Sequence, residues 1–395
     1  MIDRRIFLLL ASLSAFAPLA IDLYLPSFTA MTAGLNTTFD QVQRTVSVFL
    51  AGFALGMLIY GPVSDRLGRR RVILIGVGVF TLASVACTLA QTIEQLQLFR
   101  IFQALGGGAA TVVARATVRD LFDEREGAKA LALIAITTSL APLIAPVAGA
   151  YILQLGSWRW EFATLTLFGL ACWAATFFML PESLKPENAQ TSILKAFKAY
   201  WQVLVQPQSV WIVLSGALLF AAMFSYITAI PFVYMGFHGL SEKLFGLLFG
   251  MNIISLMILG YISSRTVKHT GTLKLIRIGS MVCLTGAGLV GLGTYPTQPS
   301  TSSLIMTAGG LFLGVGALGF IAPNTTARLL ATHKERAGAA SAVYGCAQFG
   351  LGALASATTA AWHDGTARPM GTMFVVLALA SALCSLMMKK HANEA

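Results

Sequence analysis

Two ionisable residues stand apart because apolar sequence surrounds them. Asp22 lies in Leu19-Ala-Ile-Asp22-Leu-Tyr24-Leu-Pro26, and Arg100 in Leu98-Phe-Arg100-Ile-Phe-Gln103. A carboxyl group in apolar surroundings is expensive to keep charged, and a nearby guanidinium offsets that cost. A site balanced between the two effects can bind and release a proton. The open alternatives are a fixed structural ion pair and an Asp22 that reaches the interface. The other acids, Asp65, Asp120, Glu161 and Glu182 among them, read as lying at the ends of apolar stretches, in loops or in tails. The chemistry on offer is therefore proton binding, not acid–base catalysis by paired carboxylates.

A second cluster is Gly61-Pro-Val-Ser-Asp65-Arg66-Leu-Gly68-Arg69-Arg70-Arg71. Gly61 and Pro62 are expected to end a helix, Asp65 to face a neighbouring helix terminus, and the arginines to reach anionic lipid or opposing carboxylates. Other chemistries find no support. His238, His269, His333, His363 and His391 form no metal-spaced pair, so no metal site is expected. The five Cys have no CxxC spacing and read as packing residues. Gly314-Val-Gly316-Ala-Leu-Gly319 matches a dinucleotide pattern, but it lies inside an apolar span with no strand before it, so it reads as helix packing. No Walker A motif is present, and no catalytic residue is expected. A multi-span membrane enzyme is the remote alternative, since the spans offer one acid and no histidine.

The elements that position these residues are membrane helices. Of 395 residues 56% are hydrophobic and 11% charged, far below the charge of a water-soluble domain. Twelve apolar stretches each approach the roughly 20 residues that cross a bilayer. They fall near 6–26, 44–64, 72–90, 96–116, 131–153, 161–180, 209–230, 244–264, 273–293, 303–323, 338–360 and 370–388, and lack the alternation of barrel strands. The fold class expected is an all-α membrane protein. On this count Asp22 lies about 24 Å along its span and Arg100 about 6 Å down its own, at 1.5 Å per residue. Both then sit at similar depth in the outer half of a core about 30 Å thick.

All but five of the 27 Lys and Arg fall in the tails and even-numbered loops; Arg44, Arg159, Lys243 and Arg368 lie at the opposite ends and Arg100 within a span. This is the positive-inside pattern with both termini cytoplasmic, so the net charge of +11 records topology and contact with anionic lipid, not nucleic-acid binding. Arg4 and Arg5 before an apolar run resemble a signal peptide, but Pro18 directly after Ala15-Phe16-Ala17 disfavours cleavage.

The polar stretch 181–208 interrupts the rhythm and divides the chain into a six-helix half at 1–180, a cytoplasmic linker, and a second half at 209–395. Its later part, 193–205, reads as an amphipathic helix at the interface. Gly260-Tyr-Ile-Ser-Ser264-Arg265-Thr-Val-Lys268-His269 echoes the Gly61 cluster 199 residues further on. Repeated halves that rock about a midplane site describe a transporter. Polar or aromatic residues inside spans are the candidates for its cavity: Tyr24, Gln103, Phe224, Tyr226, Asn252, Asn324, Tyr344 and Gln348. Each can equally be an interhelical hydrogen bond or packing. Met57 and Met223 suit an adaptable apolar surface.

The Gly61–Arg71 sequence resembles the loop motif of the major facilitator superfamily. Arg100-Ile-Phe-Gln103-Ala-Leu-Gly106 resembles the fourth-helix motif of its drug:proton antiporters. Ala141-Pro142-Leu-Ile-Ala145-Pro146-Val-Ala-Gly149-Ala150 resembles their fifth-helix motif. Asp22-Leu-Tyr24-Leu-Pro26 and Pro231-Phe-Val-Tyr234 are similar to the Bcr/CflA (bicyclomycin/chloramphenicol resistance) group. The resemblance spans the chain and implies twelve helices in two pseudo-repeat halves. It implies export of small-molecule drugs in exchange for protons across the bacterial inner membrane, by a monomer that needs the proton gradient and no cofactor. Asp22 and Arg100 would serve in coupling, and Gly61, Asp65, Arg66, Gly68, Arg69 and Arg70 in a cytoplasmic gate. Pro142, Pro146 and Gly149 would form the antiporter helix. The chain departs from the pattern at Ala141, Ala145 and Ala150, where glycine is common, and at Ser264, where the second-half echo lacks the acid. An exporter or facilitator of a natural metabolite would use the same coupling residues.

Overall fold

The computed structural model describes residues 4–184 and 193–389. The middle of the expected linker, 185–192, and the extreme termini lie outside the described residues. The chain forms two compact units, Met1–Lys198 and Ala199–Ala395.

In the first unit the opening span is made of α1 (Arg4–Ser14), α2 (Phe16–Asp22), a 3-10 turn at Leu25–Ser27 and α3 (Phe28–Gly34). The following helices are α4 (Phe39–Leu67), α5 (Arg69–Leu89), α6 (Ile93–Leu121), α7 (Glu124–Leu153) and α8 (Arg159–Met179). α9 (Ile193–Leu204) covers the stretch read as amphipathic, with Leu194, Phe197 and Trp201 exposed. The second unit continues with α10 (Pro207–Pro231), a π-helical turn at Phe232–Phe237, α11 (Glu242–Thr270), α12 (Thr272–Thr294), α13 (Thr301–Gly316), α14 (Leu318–Thr332), α15 (Ala337–Ala361) and α16 (Arg368–Leu386). No strand occurs among the described residues.

Ten stretches among the described residues are helices long and apolar enough to cross a membrane, eleven if the opening span, bent by 44°, is counted as one. α15 occupies the remaining expected span. It is 25 residues long, but Gly, Ser, Thr and Gln dilute its alanines. The units repeat one packing plan. α5 packs on α6 and α8 as α12 packs on α13 and α16, and α1 packs on α7 as α10 packs on α15. The Gly314–Gly319 pattern lies where α13 meets α14 and approaches neighbouring helices closely, as a packing motif does.

Candidate functional site

Two prolines shape the first span. Pro18 and Pro26 have no amide hydrogen to give the carbonyls of Ser14 and Asp22, so the helix breaks just after both positions. The chain does not leave the bundle at Pro26, as the expected boundary had it, but continues through α3. Asp22 is therefore the last helical residue before a non-helical segment. It is buried, and its Oδ1 has no hydrogen-bond partner.

Arg100, on α6, is fully buried. Its guanidinium donates to Gln103 Oε1 at 2.6 Å and to Tyr24 Oη at 3.3 Å. It also lies 4.2 Å from the Phe49 ring centre, 4.6 Å from Tyr24 and 5.8 Å from Phe162. Gln103 Nε2 donates to Ser84 Oγ at 2.8 Å, and Tyr24 Oη lies 2.8 Å from Thr45 Oγ1. Tyr24 and Gln103, expected in a cavity, thus have their polar atoms engaged in fixing the guanidinium. The pairing of Arg100 with Asp22 expected from equal depth does not form: no ion pair joins them among the described residues. Depth fixes height along a helix but not direction around it. Tyr24, in the turn after α2, faces Arg100, and Asp22, two residues earlier at the end of α2, makes no ion pair with it. The cation is held instead by its two hydrogen bonds and by rings, each ring worth about 2 kcal/mol when desolvated.

The Gly61 cluster closes differently from its sequence expectation. α4 runs through Pro62 and ends only at Gly68, whose φ of +96° needs glycine. Ser64 Oγ donates to the Gly61 carbonyl at 2.9 Å. Arg69, the first residue of α5, is the hub. It contacts Asp65 Oδ1 at 2.5 Å and Asp120 Oδ2, at the end of α6, at 2.8 Å. It donates to Ser64 Oγ at 2.5 Å, and its backbone amide donates to Glu182 Oε1 at 2.8 Å. Arg70 donates to the Phe177 carbonyl at 2.6 Å. Arg66 is exposed, and Gly61 has open space where a side chain would stand. The acids that complete the hub, Asp120 and Glu182, were read as loop charges. Their only signal was position, just after the fourth and the sixth expected spans.

A second buried carboxyl was also missed. Glu161, read as a span end, is fully buried in the first turn of α8, where its Oε1 accepts from Ser27 Oγ at 2.6 Å and its Oε2 has no partner. Pro142, Pro146 and Gly149 all lie within α7. A Cβ at Gly149 would overlap the Leu23 carbonyl oxygen, so α7 touches the broken first span there. Ala141, Ala145 and Ala150 are nonetheless buried, so alanine at those three positions is compatible with packing.

In the second unit Phe224 packs on Phe220 and Phe349, with ring centres 5.0 and 6.0 Å away. Tyr226 Oη accepts from Asn252 Nδ2 at 2.9 Å. Asn324 Nδ2 donates to Ser263 Oγ at 2.8 Å, and Tyr344 Oη lies 2.8 Å from Thr325 Oγ1. Gln348 is half-buried beside Phe349 in sequence. The sequence echo of the first-unit cluster is one turn out of structural register. α11 ends at Gly271, with φ of +78°, so Lys268 occupies the place of Asp65, and Thr272 that of Arg69. Buried Arg328, on α14, donates to Thr272 Oγ1 at 3.3 Å and to the Lys389 carbonyl.

Residues 10–357 match the model of the Major Facilitator Superfamily. The chain belongs to this superfamily. As a member it is an all-α, multi-span membrane transporter. A Haemophilus influenzae protein described as a bicyclomycin resistance protein homolog is 32% identical over 376 residues, covering 92% of this chain and 91% of the relative. A chloramphenicol resistance protein of Pseudomonas aeruginosa is 30% identical, covering 86% and 80%. The multidrug resistance protein MdtL of Escherichia coli is 38% identical over 188 residues, which is 46% of this chain. A solved D-xylose-proton symporter has the same fold, with a TM-score of 0.77 at 17% identity over 98% of this chain.

Proposed function

We propose that this transporter exports small, largely apolar drugs of the chloramphenicol class in exchange for protons. The bacterial inner membrane is its location and both termini are cytoplasmic. The observation that carries the reading is Asp22: a buried carboxyl, with an unpartnered oxygen, at a helix end broken by proline. The names of the two relatives that align along most of the chain support the substrate class.

A proton on Asp22 removes a buried charge and converts an acceptor into a donor. Its arrival or departure changes what the carboxyl can bond at the second of the two breaks in the first span. Arg100 supplies a fixed positive field near Tyr24 without neutralising Asp22. Arg69 ties α4, α5, α6 and Glu182 together, so those elements move as a block and the gate opens by breaking contacts with that block's outer surface. Cavity contacts come from Phe224, Tyr226, Asn252, Asn324, Tyr344 and Gln348, and proton energy replaces any bound cofactor. The transporter works as a monomer, with lipid around it.

The test is radiolabelled chloramphenicol in inverted vesicles with an acid interior. Accumulation that collapses when a protonophore dissipates the gradient is expected. Equal uptake with and without the gradient overturns the reading.

A further inference from the structure

Asp22 is not the only carboxyl built into the break of the first span. Glu161 reaches the same break from α8. Its Oε1 is held by Ser27, the last residue of the 3-10 turn, and its Oε2 is buried without a partner. The Leu23 carbonyl, adjacent to Asp22, meets α7 at Gly149, and the Glu161 carboxyl lies against that same glycine. Both acids thus bear on six residues, Asp22 to Ser27.

The charges around Glu161 are accounted for element by element. On its own helix, Arg159 donates to the Ala90 carbonyl at 2.8 Å and stacks 4.4 Å over the Trp158 ring. It forms no ion pair with Glu161 among the described residues. On α6, Arg100 lies across the Phe162 ring, committed to Gln103 and Tyr24. The first span contributes Asp22 and the Tyr24 phenol, whose ring is 5.5 Å from Phe162. α5 contains the buried Cys87 thiol near its end, and α7 presents Gly149 at the contact. Among the described residues no cation is paired with this carboxyl, so a proton is the counter-charge available to it.

We infer that Glu161 is a second proton-binding site, linked to Asp22 through the broken segment of the first span. A proton taken from water adds to Oε2, turning the carboxylate into a neutral acid that can donate, and it leaves again to water. With Glu161 neutral, the pull on the Ser27 hydroxyl weakens and the 3-10 turn is freer to rewind toward helix. Two protons rather than one are then exchanged for each drug molecule, so export of a neutral drug moves a net charge of two inward across the membrane. This deepens the proton-coupled reading, and its transport arm rests on that reading.

The experiment has two arms on the purified full chain. Infrared difference titration from about pH 5 to about pH 9 follows the carbonyl stretch of protonated carboxyl groups and needs no drug. Glu161→Gln removes one titrating band and Asp22→Asn another. Ser27→Ala, a mild change outside any helix core, keeps the Glu161 band but moves its midpoint. In liposomes, the reversal point of chloramphenicol flux against a set pH gradient gives the proton count, which Glu161→Gln lowers from two to one. A titrating spectrum identical in wild type and Glu161→Gln overturns the inference, as does an unchanged proton count. Absence of chloramphenicol flux in wild type would count against the transport reading, while the infrared arm still decides on Glu161.

Discussion

The two units share a packing plan and differ in how they use charge. In the first, carboxylates do the joining: half-buried Asp65 and Asp120 and the exposed Glu182 converge on Arg69, and the buried Asp22 and Glu161 flank the break of the first span. In the second, the corresponding helix end carries Lys268 and Thr272, and Arg328 donates to a hydroxyl and a backbone carbonyl. Its interior contacts are amides, phenols and phenylalanine rings. On the function proposed above, a duplicated scaffold has specialised, with proton binding in one half and neutral, adaptable groups in the other.

The sharpest way to break this contrast is Asp22→Asn. Uphill chloramphenicol export should fall to background while the protein still inserts, and full export by this variant would remove the proton role from the first unit. Next comes Arg100→Lys, which keeps the charge but loses the planar fork and the stacking, so export should drop about tenfold, some 1.4 kcal/mol. Because Arg100 and Asp22 are not paired, the pH midpoint of drug binding should stay put; a moved midpoint would mean they meet in another state of the cycle. Double-mutant cycles then compare the hubs. Coupling of Arg69 with Asp120 should be about 1–3 kcal/mol in thermal stability, and that of Arg328 with Thr272 below about 1 kcal/mol. Equal values would erase the contrast. Phe349→Ala should alter the range of exported drugs, measured as a panel of minimal inhibitory concentrations, with the proton count unchanged.

The smallest effect concerns His333, just beyond α14, whose ring nitrogen lies 2.7 Å from Ser209 Oγ. Burial, aided by Arg336, lowers its pKa below the usual histidine value. The folded state therefore favours the neutral ring. That contribution is present above the unfolded pKa of about 6.5 and is lost as pH falls through the folded value. The thermal midpoint should decline on acidification from about pH 7 to about pH 5, and His333→Gln should flatten the decline. Identical profiles for the two proteins would show that His333 does not contribute.

The sequence carried the helices well because a bilayer-length apolar run is a one-dimensional signal. Asp22 and Arg100 were legible for the same reason, as isolated charges in such runs. Direction around a helix was not, which is why Arg100 met Tyr24 rather than Asp22. Glu161 escaped because a residue at a span end looks solvated until Ser27 and Gly149 are seen against it. Asp120 and Glu182 escaped because their meaning lies in Arg69, far away in the chain. The Gly61-Pro62 pair misled: a proline inside a long membrane helix is carried by its neighbours, and the positive φ of Gly68 is the stop that counts.

The composition of α15 has a consequence for biosynthesis. A segment of alanine diluted by Gly, Ser, Thr and Gln gains little by entering hydrocarbon alone as it leaves the translocation channel. Its place in the membrane is supplied by α10, synthesised far earlier, whose Thr228 hydroxyl meets Ser356 at 2.6 Å along their shared face. α10 must therefore wait, with that face uncovered, until the end of translation. Damage to the α10–α15 seam will be read out as a shortage of inserted protein before it is read out as a defect in transport.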